Sequence, residues 1–168
     1  DFEKVRKAYR DDRFGTKPGS MESLATEYLS TKEKLGNYAP FTDVLITTGH
    51  DPAAVTDYRR SLDSRTGLGR VSYSMNGGQF TREAFCSFPH DVVVTRFTAQ
   101  NATLDLIVKT TTKHPGGQVK AIDNRIVLTS KAKMIQDDIE FMQVVHIDAV
   151  DGNVTAQTDG SVKVSGAT

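Results

Sequence analysis

Leu68-Gly69-Arg70-Val71-Ser72-Tyr73-Ser74-Met75-Asn76-Gly77-Gly78-Gln79-Phe80-Thr81-Arg82-Glu83-Ala84-Phe85-Cys86-Ser87 is the stretch on which the fold turns. Leu68 to Ser74 and Gln79 to Ser87 are rich in β-prone residues at a period of two, and Asn76-Gly77-Gly78 between them supplies the positive φ of a tight hairpin. Along the second strand Phe80, Arg82, Ala84 and Cys86 share one face, and Thr81, Glu83 and Phe85 share the other. Similar short segments flank the hairpin. Asp43 to Thr48 and Asp57 to Leu62 read as strands before it. After it, Val92-Val93-Val94 and Leu104 to Lys109 are denser apolar runs of the kind found in central strands. His114-Pro115-Gly116-Gly117 reads as a loop, and Arg125 to Thr129 and Ile139 to Val150 as further strands. Asp151-Gly152 and Asp159-Gly160 add two more hairpin signals. Strands of this length and spacing, with no helices between them, argue for an antiparallel sandwich and against a βαβ fold.

The front of the chain has another period. Phe2, Val5 and Tyr9 recur at helical steps, and Ser20 can cap a second helix whose apolar face is Met21, Leu24, Tyr28 and Leu35. The expected organisation is a helical lead-in over residues 1–36, belonging to the same single domain as a β-sandwich over residues 37–168. The 168 residues suit one domain. Twenty-one basic and 21 acidic side chains cancel, so no global field draws the chain to nucleic acid or an anionic membrane. A mean hydropathy of −0.39 fits a globular chain, and no apolar run approaches the roughly 20 residues of a spanning helix. With one cysteine, Cys86, there is no intrachain disulfide and no cysteine-based zinc site. The start at Asp1-Phe2-Glu3-Lys4 is no signal peptide, and both ends look cut from a longer protein.

Few residues carry chemistry. His50, His90, His114 and His146 stand far apart, without an HExxH-like pair, and read as surface or satisfied core histidines. Asp137-Asp138-x-Glu140 lacks the spacing of a calcium loop and reads as a solvated turn. No nucleophile elbow or phosphate loop is present, and Cys86 is expected as a half-buried strand thiol. Glycoside cleavage needs two carboxylates across the scissile bond, but the sequence does not say which two would face each other. Glu83 and Arg96 read as a cross-strand ion pair. The chain has 5 Tyr, 8 Phe and no Trp, which weakens a sugar platform unless Tyr38, Tyr58 or Tyr73 forms one. Phe80, Phe85, Phe97 and Phe141 read as core. Asn101-Ala102-Thr103 and Asn153-Val154-Thr155 are acceptor sequons that matter only in a glycosylating host. No catalytic residue, metal ligand or cofactor is assigned, and any substrate-binding residue is unknown.

An ordered set of residues nevertheless carries a resemblance. Tyr58-Arg59-Arg60-x-Leu62-Asp63 is followed by Val71-x-Tyr73, by Phe80-x-Arg82-Glu83-x-Phe85-x-Ser87-x-Pro89, and by Val92 and Val94-x-Arg96. In this order it resembles the N-terminal β-sandwich domain of glycoside hydrolase family 95, the inverting α-L-fucosidases. Tyr38-x-Pro40-x-x-Asp43-Val44, Asn124 to Thr129, Ile139-Glu140-Phe141 and Gly160-x-Val162-x-Val164-x-Gly166-Ala167 are also similar. The family commonly has Leu-Gly-Asp-Leu where this chain has Phe41-Thr42-Asp43-Val44, and Pro-Asp where it has Pro89-His90.

The resemblance implies a mainly β fold, an antiparallel sandwich of the super-sandwich type preceded by two short helices. It places Tyr58, Arg59, Arg82, Glu83, Phe85 and Arg96 as fold-defining positions. The family's Gly-Asn-Gly-Arg-type turn would lie before Asp1, and its general acid and water-activating residues in an α/α barrel after Thr168. The barrel would be this domain's partner, and the carbohydrate substrate would be reached through the parent. Neither nucleic acid nor membrane is expected as a partner. Parents of this kind are often exported, but no address is legible here. Two other classes stay open: a free-standing carbohydrate-binding module, which needs aromatic side chains along an exposed groove, and a structural or interaction sandwich, which needs a large apolar patch.

Overall fold

A computed structural model of the chain describes residues 2–11, 39–133 and 138–168. The chain divides into two compact units, Asp1–Ala39 with Ala132–Ile139, and Pro40–Lys131 with Glu140–Thr168. In the first unit, α1 spans Phe2–Asp11, with Glu3 in its first turn and Arg10 in its last, as the helix dipole favours. Arg6 Nη1 lies 3.3 Å from Glu3 Oε1. The second expected helix falls on residues outside those described, so the structure supports the β fold and does not support a two-helix lead-in.

The second unit is built of antiparallel strands: β1 (Asp43–Thr47), β2 (Thr56–Asp63), β3 (Leu68–Met75), β4 (Gly78–Ser87), β5 (Val92–Gln100), β6 (Leu104–Thr111), β7 (Gln118–Ile122), β8 (Arg125–Ala132), β9 (Ile139–His146), β10 (Asn153–Ala156) and β11 (Val162–Ala167). They form three sheets in the orders β1-β6-β11-β10, β2-β3-β4-β5 and β7-β8-β9. The β3–β4 hairpin closes through Asn76 and Gly77, at φ +50° and +81°, with Met75 opposite Gly78. Positive φ at both central residues matches the turn to the twist of the strands.

The β1-β6-β11-β10 sheet is the layer that the other two share. Leu104, Leu106 and Val108 of β6 are buried while Asp105, Ile107 and Lys109 between them are exposed. Leu104 and Leu106 pack with Val164, Ala167 and Phe80. Val108 and Val162 pack with Ile126 of β8. Ile46, Ile147 and Val154 border both clusters, which makes the two sheets neighbours on one apolar floor. Each buried aliphatic or aromatic side chain contributes on the order of 2 kcal/mol through water exclusion, and the arrangement is sandwich-like.

Several expectations are corrected. Val92-Val93-Val94 is not central: β5 is an edge strand, and Val93 is 74% exposed. β7 was not expected, because five residues after a Gly-Gly pair give too short a pattern. β9 ends at His146, not Val150. Asp151-Gly152 joins β9 to β10, which lie in different sheets, so it is a crossing and not a hairpin. Asp159-Gly160 does close a hairpin, with Ala156 opposite Val162.

That last hairpin is tied to β6. The Lys109 ammonium, 2.7 Å away, and then the Ser161 hydroxyl and amide hold the Asp159 carboxyl well below the usual carboxylate range. A depressed folded-state pKa contributes stability above the ordinary carboxylate value of about 3.9 and loses it as the pH falls. Asp159→Asn is therefore expected to melt slightly below the natural chain at pH 7. The gap should narrow as the pH drops through about 4, and it should shrink with salt because the pair is exposed. Thermal melts across pH check this, and a gap that is constant with pH contradicts it.

Candidate interaction face

The β2-β3-β4-β5 sheet has two unlike faces, and the register shows which residues form each. One face carries the rows Arg59–Ser72–Thr81–Thr98 and Ser61–Arg70–Glu83–Arg96. Such rows suit solvent. Glu83 stands opposite Arg96 as expected, but its closest ion-pair contact is Arg70 Nη1 at 3.7 Å.

The other face changes character along its length. Its first row, Tyr73–Phe80–Ala99, lies under the β1-β6-β11-β10 sheet. Tyr73 and Phe80 are stacked with centroids 5.4 Å apart, and the His50 ring meets Phe80 edge-on at 4.5 Å. The Tyr73 hydroxyl is 2.8 Å from His50 Nδ1, and burial pushes its pKa up while Arg82 pulls it down. Tyr73 is therefore part of the core and not a sugar platform. The next rows run Arg60–Val71–Arg82–Phe97, then Leu62–Gly69–Ala84–Thr95, then Cys86–Val93. Here the cover ends: Arg60, Leu62, Cys86 and Val93 are all exposed, Leu62 at 72%. Arg60, Leu62, Gly69, Val71, Arg82 and Ala84 line an open groove of about 350 Å³. At the far end of β4, Phe88 is 95% exposed. Exposed apolar side chains set beside two arginines make this end of the sheet the candidate interaction face.

The remaining candidates separate from this face. His90 Nδ1 is 2.8 Å from Ser87 Oγ, His114 Nε2 is 3.0 Å from the Pro40 carbonyl, and His146 Nε2 is 2.9 Å from Asp148 Oδ1. The four histidines stay apart, and no group of three His, Cys, Asp or Glu able to hold a metal occurs among the described residues. Of the acidic cluster, Glu140 sits exposed on β9 and Asp137 lies outside the described residues.

Cys86 is exposed, not half-buried, because the sheet cover stops before it. Phe85 is 40% exposed, so it is not core. Phe97 packs at the core's border. Phe141 packs against Phe41 and His114 in a separate small cluster. Tyr58 is exposed on β2, and Tyr38 lies outside the described residues. Asn101 and Asn153 of the two sequons are exposed. No helix among the described residues is long and apolar enough to cross a membrane.

Sequence reasoning placed Phe80, Arg82, Ala84 and Cys86 on one face but did not find that this face is half covered. The legible signal was the Val92-Val93-Val94 run, apolar enough for a strand with cover and found at an edge.

Two comparisons with known proteins bear on the chain. A probable alpha-fucosidase A of Aspergillus oryzae is 38% identical over 53 residues, which are 32% of this chain and 7% of that protein. The likeness thus reaches only a small part of that relative's length. The model of the glycosyl hydrolase family 65 N-terminal domain matches residues 2–168. On that match the chain belongs to the glycosyl hydrolase family 65 N-terminal domain family.

Proposed function

We propose that the chain serves an inverting α-L-fucosidase of the family 95 type, as a non-catalytic domain. It packs beside an α/α-barrel catalytic domain of the same polypeptide and shapes the entrance for a fucosylated carbohydrate. The observation that carries this reading is the 53-residue likeness to a probable alpha-fucosidase, joined to the ordered strand motifs from Tyr58 to Arg96. The uncovered face of the β2-β3-β4-β5 sheet supports it, since a domain that works alone would gain by covering Leu62 and Val93. In this reading the general acid and the water-activating base belong to the barrel, where inversion requires them on opposite sides of the sugar.

The expected result is no turnover of an aryl α-L-fucoside by the purified 168-residue chain. The full-length parent should hydrolyse it, with the β-anomer of fucose appearing first by NMR. Turnover by the 168-residue chain would overturn the non-catalytic role, and a parent active only on another sugar would overturn the fucosidase assignment.

A further inference from the structure

We propose that the half-covered face of the β2-β3-β4-β5 sheet is a docking groove for a segment of the parent polypeptide outside residues 1–168, one that carries a carboxylate beside apolar side chains. Arg60 and Arg82 receive the carboxylate, and Leu62, Ala84 and Val93 receive its apolar neighbours. The inference rests on the proposed role as an accessory domain and adds the chemistry of the contact.

Three observations converge on this occupant. The first is charge. Arg60 and Arg82 sit in one row, on strands flanking β3, hence about 10 Å apart at the backbone. Neither forms an ion pair among the described residues, whereas Arg70 on the opposite face meets Glu83. A guanidinium is a planar fork that holds a carboxylate through two parallel hydrogen bonds.

The second is composition. The basic side chains on this face of the sheet are both arginine, Arg60 and Arg82, and there is no lysine from Thr56 to Gln100. Arginine is enriched and lysine depleted where proteins meet proteins. A surface for a polyanionic polysaccharide would use both cations and would not need Leu62 and Val93 beside them. The third is packing. Val71, buried at 9%, stands between Arg60 and Arg82 in its row, and in the rows beyond it Leu62 and Val93 stay above 70% exposure, so apolar side chains are left uncovered on the far side of the two arginines. The family match is to an N-terminal domain, and the occupant is proposed as part of the polypeptide that such a domain would precede.

Cys86 is a built-in reporter. It is the chain's one cysteine and lies on the groove face, two residues beyond Ala84. A timed pulse of N-ethylmaleimide, read by mass spectrometry of the Cys86 peptide, measures its cover in the 168-residue chain and in the full-length parent. The expected result is at least tenfold slower labelling in the parent. Arg60→Glu with Arg82→Glu in the parent should return the rate towards that of the 168-residue chain. Arg60→Lys with Arg82→Lys should keep part of the protection, and Arg125→Glu, on β8, should leave it unchanged.

Equal labelling in both proteins overturns the proposal, as does protection that survives the double charge reversal in a variant with unchanged circular dichroism. Should that variant fail to fold, benzophenone-maleimide attached to Cys86 of the natural parent decides. Crosslinks to an acidic, apolar segment beyond residues 1–168 uphold the groove. Crosslinks confined to residues 1–168, or to a second copy, overturn it. Fucoside hydrolysis measured on the same preparations keeps the two readings apart. An active parent with an open Cys86 sinks the groove alone, and an inactive parent with a covered Cys86 sinks the fucosidase reading alone.

Discussion

Gly152→Ala is expected to lower the melting temperature by about 10 °C. Gly152 has φ +102°, and a Cβ there would sit 2.7 Å from the Ala167 nitrogen, 2.7 Å from the Ser165 carbonyl oxygen and 2.9 Å from Ala167 Cα. All three are backbone atoms of β11, which is fixed between β6 and β10 and cannot swing aside. The substitution therefore adds backbone strain of about 1–3 kcal/mol to a collision that only a shift of a strand can relieve. Together these cost about 3–5 kcal/mol, and for a domain of this size each kcal/mol moves the melting point by roughly 2–4 °C.

Gly116→Ala is the matched control. Gly116 has φ +75° but nothing within 4 Å of the added atom, so it meets only the left-handed penalty of about 1–2 kcal/mol. Thermal melts of the two variants check this. A Gly152→Ala melting point no lower than that of Gly116→Ala would mean that the loop before β10 is not seated on β11.

Gly152 also shows where sequence reasoning stops. Asp151-Gly152 carries the local chemistry of a turn, and the backbone does bend there, with Asp151 at φ +53°. Local chemistry says that the chain reverses; it does not say which strands the reversal joins. Asn76-Gly77 and Asp159-Gly160 were legible as hairpins because their strands are also sequence neighbours in one sheet. The crossing at Gly152 depends on β11, which comes later in the chain. The same limit explains β5: three consecutive valines record an apolar environment, but the sheet order that puts them at an edge is a long-range fact.

The face assignment along β4 was legible from alternation alone, since side chains on a strand cannot do otherwise. How far the cover extends along that face was not, because the cover is supplied by β6 and β11. The exposed groove could thus not be read from the residues that line it.

Phe80→Ala is expected to be the most damaging single change in the sheet unit, at about 3–5 kcal/mol. Phe80 is 4% exposed and packs with Leu104, Leu106, Val164 and Ala167 from the facing sheet. It also holds the Tyr73 ring on one side and the His50 ring on its edge. Truncation opens a cavity between two layers whose strands are hydrogen-bonded into sheets, so the backbone cannot close over it. A domain typically holds about 5–15 kcal/mol in total, and the loss approaches the whole of the smaller figure.

The informative comparison is Leu62→Ala, two rows further along the same face. Leu62 is 72% exposed, so its loss should change the stability of the 168-residue chain by less than about 0.5 kcal/mol. If the groove is filled in the parent, the same substitution should lower the parent's stability while Phe80→Ala lowers both. Urea melts of the two variants in both proteins give the four values. A small effect of Phe80→Ala in the 168-residue chain would contradict the packing of β4 against β6 and β11. A silent Leu62→Ala in the parent would leave this end of the sheet facing solvent.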